Sequence, residues 1–359
     1  MLHALIMAGG GGTRFWPRSR QNRPKQFLTL AADRSLLQQA VDRIEAAVPP
    51  ERTWIITGES YGAETARQLP NLPASRIIGE PCGRDTAACI GLGAALIARQ
   101  EPEAVMLVTP ADHVIEPVQE FRRAIHVAEQ TAQENPNALI TFGIPPTNPA
   151  TGYGYIQRGP EIATRQGVGV YRVLAFREKP NRQTAEQLVA SGQYYWNSGI
   201  FVWKSRTILQ NLREHRPHLH AAILRIADAW ATPLQEKVLR AEFEQLERIS
   251  IDFAVMERAR DALVLEAPFR WDDVGSWLAL DRMNPQDAEG NTVLARHCGL
   301  KTKNCIIVGE SDRLVATVGV DNLLIIQDGN AILVADRRDE GTIKQLVELL
   351  KQKGLENYL

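Results

Sequence analysis

The apolar run Leu2 to Ala8 ends on four consecutive glycines, Gly9 to Gly12, and this junction restricts the fold more than any other feature of the chain. A buried strand that stops on such a turn opens a β–α unit. The same alternation recurs downstream: a helical stretch from Ser35 to Ala47, an apolar run from Thr53 to Thr57, then a helix ending before Pro70. The first helix carries Leu37, Ala40, Val41, Ile44 and Val48 on one face, and Ser35 with Gln38 has the spacing of a capping box. Arg76–Ile78, Ala104–Thr109 and Leu139–Phe142 are nearly all apolar, as strands covered on both faces must be. The expected class is α/β, with a mixed, mostly parallel sheet.

From about residue 145 the pattern loosens into Pro/Gly turns, with a hairpin signal at Thr151-Gly152-Tyr153-Gly154-Tyr155 and β-rich runs at Val168–Phe176 and Ile200–Trp203. This reads as a second lobe inserted into the same domain. Residues 205–260 read as helices punctuated by Pro217 and Pro233. After Asn291, apolar runs begin at Ile306, Leu314, Leu323 and Ala331, eight or nine residues apart. Even spacing of short strands predicts a small all-β unit of solenoid type that needs a covering surface, from another domain or another subunit. A closing helix has Ile343, Leu346, Val347 and Leu350 on one face. The expected domains are 1–285 and 286–359, with a homodimer formed through the C-terminal region.

Charge excludes two classes of partner. With 41 Lys+Arg against 42 Asp+Glu the net charge is −1, so nothing global attracts nucleic acid or an anionic membrane. The longest apolar runs fall far short of the roughly 18 residues that cross a bilayer. No basic residue precedes Leu2–Ala8, against a signal peptide. Cys82, Cys89, Cys298 and Cys305 form no CxxC pair, which predicts reduced core thiols in a cytoplasmic protein.

Any basic site is therefore local, and the loop after the first strand is the place for it. Gly9-Gly10-Gly11-Gly12-Thr13-Arg14 continues through Arg18, Arg20 and Arg23 to Lys25, giving five cations with no acid before Asp33. A Walker A loop needs Lys directly after its last Gly, and a dinucleotide fingerprint needs Gly where Arg14 stands; neither matches. Bare backbone N–H groups with Arg and Lys suit a polyphosphate. The competing reading is a βα turn with a solvated basic face, although such turns usually take only about 2–6 residues.

Asp112 follows the most apolar strand, where ligands gather in open α/β sheets and where a Mg²⁺ ligand beside phosphates is needed. A helix cap is the alternative. A second carboxylate is expected from Asp272 or Asp273, in Trp271-Asp272-Asp273-Val274-Gly275-Ser276-Trp277, with a surface cap as its alternative. Glu178, Asn197 and backbone near Gly154 suit sugar hydroxyls and Lys179 a sugar phosphate; by spacing alone Glu178-Lys179 is equally a solvated pair.

Together GGGGTRFWPRSRQNRPKQF, TPADH, FREKP, WNSGIF and WDDVGSW resemble the sugar-nucleotide pyrophosphorylase family. The Phe15-Trp16-Pro17 insertion and Ile251–Glu257 place the resemblance in its bacterial mannose-1-phosphate guanylyltransferase (GDP-mannose pyrophosphorylase) branch. The match runs nearly end to end. It implies a Rossmann-like, GT-A-like nucleotidyltransferase domain and a short C-terminal left-handed β-helix. It assigns Ala8, Gly9, Gly10, Gly12, Thr13, Arg14, Lys25, Glu80, Thr86 and Asp112 to the nucleotide, with Glu80 on the base. Gly154, Glu178, Lys179 and Asn197 fall to the sugar phosphate, Asp112 and Asp273 to Mg²⁺, and Arg14 and Lys25 join these acids as catalytic residues. Asp85, Ala88 and Asp272 depart from the family's usual Asn, Pro and Ser.

The resemblance implies attack of a mannose 1-phosphate oxygen on the α-phosphorus of GTP, with pyrophosphate leaving. A substrate phosphate is already a nucleophile at neutral pH, so the protein needs in-line placement and charge neutralisation rather than a general base. The isomerase activity of longer, bifunctional relatives is expected to be absent. Two other readings stay open: a related enzyme with another base or hexose, and a non-catalytic sugar-nucleotide sensor.

Overall fold

The computed structural model describes residues 1–30 and 33–359. The described chain forms two compact units, each assembled from several stretches: Met1–Gly9, Ala40–Ala111 and Ile115–Trp271 in the first, and Gly10–Gln39, Asp112–Val114 and Asp272–Leu359 in the second.

The first unit is built on a nine-stranded sheet. Its strands are β1 (Leu2–Ala8), β2 (Thr53–Gly58), β3 (Ile77–Glu80) and β4 (Val105–Pro110), then, after the short β5 (Val114–Glu116), β6 (Leu139–Ile144), β7 (Tyr155–Arg165), β8 (Val168–Arg177), β9 (Tyr194–Lys204) and β10 (Ala262–Glu266). Their order is β3-β2-β1-β4-β9-β6-β10-β8-β7. β3, β2, β1 and β4 run parallel, as β–α–β chain grammar requires, and β6 and β10 are parallel further along. β9 enters antiparallel between β4 and β6. β1 and β4 are buried at almost every residue, so both faces of the sheet are covered there. The helix Asp85–Gln100 shares a core with Leu5, Trp54, Met106 and Trp203, and with Leu212, Leu219 and Ile223 of the later helices.

The lobe after residue 145 is an extension of this sheet, because β7 and β8 pair antiparallel and β8 continues onto β10. The hairpin signal at Thr151–Tyr155 marks the entry to β7. The turn itself is at Gln166-Gly167, with φ of 49° and 76°, the left-handed pair that a two-residue hairpin needs.

In the second unit β12 (Thr292–Leu294), β14 (Ile306–Val308) and β16 (Leu323–Asp328) stack in parallel, β17 (Ala331–Asp336) closes the edge antiparallel, and β13 (Arg296–Lys303) pairs with β15 (Leu314–Asp321). This is the small β-helix, followed by the helix Ile343–Gln352. Its inner residues Ile306, Val308, Leu324 and Ile326 share one apolar cluster with Phe15, Trp16, Leu28, Leu36, Val274 and Trp277, and with Ile343 and Val347 of the helix. The covering surface that these strands need is supplied by the chain itself, at roughly 1.5–3 kcal/mol for each large side chain buried. Cys89 and Cys305 are core thiols, whereas Cys298 is exposed on β13, contrary to the expectation for all four. Among the described residues no helix is long and apolar enough to cross a membrane.

Candidate active site

In the second unit the glycine-rich loop bends back on its last cation. Gly12 has φ 58°, and a Cβ there would lie 2.3 Å from Lys25 Cβ, so only glycine permits the approach. Ser19 Oγ donates to the Gly12 carbonyl at 2.7 Å and fixes the bend. Gly9, Gly10 and Gly11 are exposed, and a Cβ on Gly9 or Gly10 would meet nothing within 4 Å. Their backbone is thus bare, as a phosphate cradle requires.

Lys25 is buried, and Nζ donates to Asp112 Oδ2 at 2.6 Å and to the Asp273 carbonyl oxygen at 2.7 Å. One ammonium therefore links the Asp112 carboxylate to the Asp273 backbone. Burial alone would raise the Asp112 carboxyl; the Lys25 and His113 charges outweigh it and hold it below its ordinary value. The Asp273 Oδ1 accepts from Gly275 N at 3.1 Å, and Arg14 Nη1 donates to the Gly275 carbonyl at 2.9 Å. The choice between the paired aspartates is physical: Asp272 is bound by Arg282 and accepts from Val274 N at 2.8 Å, so its oxygens are spent on structure. Of the five loop cations, Lys25 bonds Asp112 and the Asp273 carbonyl and Arg14 the Gly275 carbonyl, whereas Arg18, Arg20 and Arg23 turn to Asp328, 3.8, 4.0 and 3.6 Å away.

In the first unit the sugar candidates form a second cluster. Asn197 N donates to the Gly154 carbonyl at 2.8 Å, and a Cβ on Gly154 would lie 2.3 Å from Glu178 Oε2, so these three residues touch. Lys179 Nζ lies 3.1 Å from Glu178 Oε1 and is largely exposed. The Asn197 amide is oriented by its neighbours: Oδ1 accepts from Gly199 N at 3.2 Å, and Nδ2 donates to Asp252 Oδ1 at 2.7 Å. Asp252 carried no role in the sequence reading, and its only signal was its place in the Ile251–Glu257 segment. Burial first, and the neighbouring Glu178 charge second, push its carboxyl up to about 6. Tyr153, next to Gly154 in the chain, packs edge-on against both Trp196 and Trp271, with centroids 5.1 and 5.2 Å away.

Two base-side candidates are also in the first unit. Glu80 ends β3 with Oε1 buried and unpartnered, and burial pushes its carboxyl up to about 8. The Thr86 hydroxyl accepts from Ile251 N at 2.8 Å, which leaves its proton and one lone pair for a nucleotide.

A loop with bare amides, a lysine bonded to two aspartates and the cluster of Gly154, Glu178 and Asn197 suit a transferase acting on nucleotides and phosphorylated sugars. The family described as "Nucleotidyl transferase" matches residues 3–290, and the chain belongs to it. The "MannoseP isomerase/GMP-like beta-helix domain" matches residues 295–350. Within that family the chain is 40% identical to the mannose-1-phosphate guanylyltransferase of Klebsiella pneumoniae, over all of this chain and 76% of that one. It is 41% identical to the enzyme of the same name from Escherichia coli K12, over 98% of this chain and 74% of the relative. A crystal structure from Thermus thermophilus, described as a mannose-1-phosphate geranyltransferase, superposes with a TM-score of 0.86 at 36% identity, covering 98% of this chain and 99% of that one.

Proposed function

We propose that the chain is a mannose-1-phosphate guanylyltransferase, transferring GMP from GTP to mannose 1-phosphate and releasing pyrophosphate. The carrying observation is the similarity, over the whole of this chain, to enzymes of that activity, and the cluster of Lys25, Asp112 and Asp273 supports the reading. Asp112 and Asp273 fit Mg²⁺: they offer hard oxygen donors, Asp112 is kept ionised, and two carboxylates with substrate phosphates are the set this ion usually takes. When bound there, the ion neutralises charge on the phosphate oxygens.

The chain's own residues do the rest. The amides of Gly9 to Gly12 and the Arg14 guanidinium hold the triphosphate. Lys25 brings three N–H donors, spends two on Asp112 and Asp273, and directs the third at a phosphate oxygen. Glu178, Asn197 and the Gly154 backbone hold the mannose hydroxyls, and Lys179 meets the sugar phosphate, whose oxygen attacks the α-phosphorus in line. Positioning and charge neutralisation of this kind suffice for transfer between phosphates. Glu80 reads the guanine edge, because a carboxylate accepts from N1–H and the N2 amine together. Incubating the protein with GTP, Mg²⁺ and each of several sugar 1-phosphates, and measuring pyrophosphate, tests the assignment; release with glucose 1-phosphate alone transfers it to another hexose.

A further inference from the structure

Three arginines of the glycine-rich loop do not point at its phosphate-binding end. Arg18, Arg20 and Arg23 converge on Asp328, at the turn between β16 and β17. Arg20 also donates to the Asp328 carbonyl at 3.3 Å, to Asn330 Oδ1 at 3.1 Å and back to the Pro17 carbonyl at 2.7 Å. Reciprocal backbone bonds of 3.0 Å between Arg20 and Arg23 close the loop into a tight turn over this carboxylate. The side chains of Arg18, Arg20 and Asp328 are only 18, 13 and 14% exposed, so this is no solvated surface pair.

A second anchor lies two residues before Arg18. Trp16 is 7% exposed, its Nε1 donates to the Tyr358 carbonyl at 2.7 Å, and its own carbonyl accepts from Trp277 Nε1 at 3.2 Å. Phe15 stacks at a tilt on Trp277, centroids 5.1 Å apart, and the Lys25 ammonium sits 5.8 Å from the Phe15 ring centre.

Between Gly9 and Pro24 the loop has one short 3-10 turn and a few local backbone bonds, so its own backbone holds it only in part. Fixing such a segment costs roughly 1–2 kcal/mol per residue in backbone entropy, and contacts outside the loop must supply that. Those contacts come from the β-helix turn, the closing segment and Trp277. We infer that Asp328, with Trp16 and its Tyr358 contact, is a positioning device: the C-terminal β-helix sets the loop that places Arg14 and Lys25, and is thereby part of the catalytic apparatus. This rests on the reading of that loop as the GTP triphosphate site.

Asp328→Asn removes the charge facing three arginines, Asp328→Glu keeps it, and Trp16→Phe removes the indole donor together with part of the buried ring. In the full-length protein the expected result is that Asp328→Asn and Trp16→Phe melt cooperatively yet lose about tenfold or more in kcat and in MgGTP affinity. KM for mannose 1-phosphate stays at the wild-type value, and Asp328→Glu recovers most of the loss. Wild-type kcat and GTP affinity in both Asp328→Asn and Trp16→Phe overturn the inference, as does an equal loss of affinity for both substrates that follows the melting temperature. Calorimetric titration with MgGTP alone separates this from the assignment of function. A wild-type chain that binds MgGTP but makes no GDP-mannose rejects the reaction, while the variants' GTP dissociation constants still decide the role of Asp328 and Trp16. A wild-type chain that binds no MgGTP rejects both.

Discussion

The Lys25 ammonium donates to Asp112 Oδ2 at 2.6 Å, joining the last cation of the glycine-rich loop to the acid just beyond the buried strand β4. The Lys25 charge helps hold the Asp112 carboxyl below its ordinary value against its burial, and the proposed role of Lys25 is to neutralise the transferring phosphoryl group. Replacing Lys25 by Met is expected to lower kcat/KM about a hundredfold, or about 3 kcal/mol of transition-state stabilisation. A loss below about threefold removes Lys25 from that role.

The three aspartates separate by substitution. Asp112→Ala and Asp273→Ala are expected to abolish Mg²⁺-dependent turnover in folded protein. Asp272→Asn, which loosens the Arg282 and Val274 contacts, keeps turnover and costs on the order of 1–2 kcal/mol of stability. Activity assays paired with urea titrations distinguish the two patterns, and near-normal rates for Asp273→Ala exclude it as a metal ligand.

Glu80 gives the account a pH signature. Its carboxyl lies near 8 rather than the usual 4.5 because it is buried, so the native protein holds a proton there at neutral pH that the unfolded chain releases. The stability from this site is complete below about 4.5 and is lost as pH rises through about 8. If Glu80 reads guanine as proposed, only its ionised form does so, and GTP binding is then expected to release this proton and to tighten as pH climbs toward 8. Glu80→Gln is expected to flatten both trends and to weaken preference for GTP over ATP by roughly 1–3 kcal/mol. Competition assays with an unchanged GTP/ATP ratio assign base reading to other groups.

Asp252 accepts from the Asn197 amide and orients it. Removing it in Asp252→Ala frees the amide that the 2.7 Å bond orients, and about a tenfold rise in KM for mannose 1-phosphate is expected, near 1.4 kcal/mol, with KM for GTP unchanged. Steady-state kinetics varying each substrate in turn measures the split. Equal effects on both substrates contradict the assignment.

How far the sequence carried varies with how local each signal is. The capping box at Ser35 and Gln38 is present in both directions, at 3.2 Å and 3.1 Å, because it depends only on residues three apart. The strands starting at Ile306, Leu314, Leu323 and Ala331 and the apolar face of the closing helix were legible for the same reason. β13 was not: Arg296–Lys303 exposes most of its residues and carries no apolar run. The distant pairings were equally hidden. Nothing near Asp252 in the chain signals its bond to Asn197, and nothing near Arg18 signals Asp328. Polyphosphate accounts well for a string of loop cations, yet the structure spends three of the five on holding the loop in place.

The most direct test is the reaction itself. Purified protein with GTP, mannose 1-phosphate and Mg²⁺ is expected to produce GDP-mannose and pyrophosphate in equal amounts, with far lower turnover when ATP replaces GTP or glucose 1-phosphate replaces mannose 1-phosphate. No GDP-mannose from folded protein that binds MgGTP, or faster product formation from another nucleotide and sugar phosphate, contradicts the account.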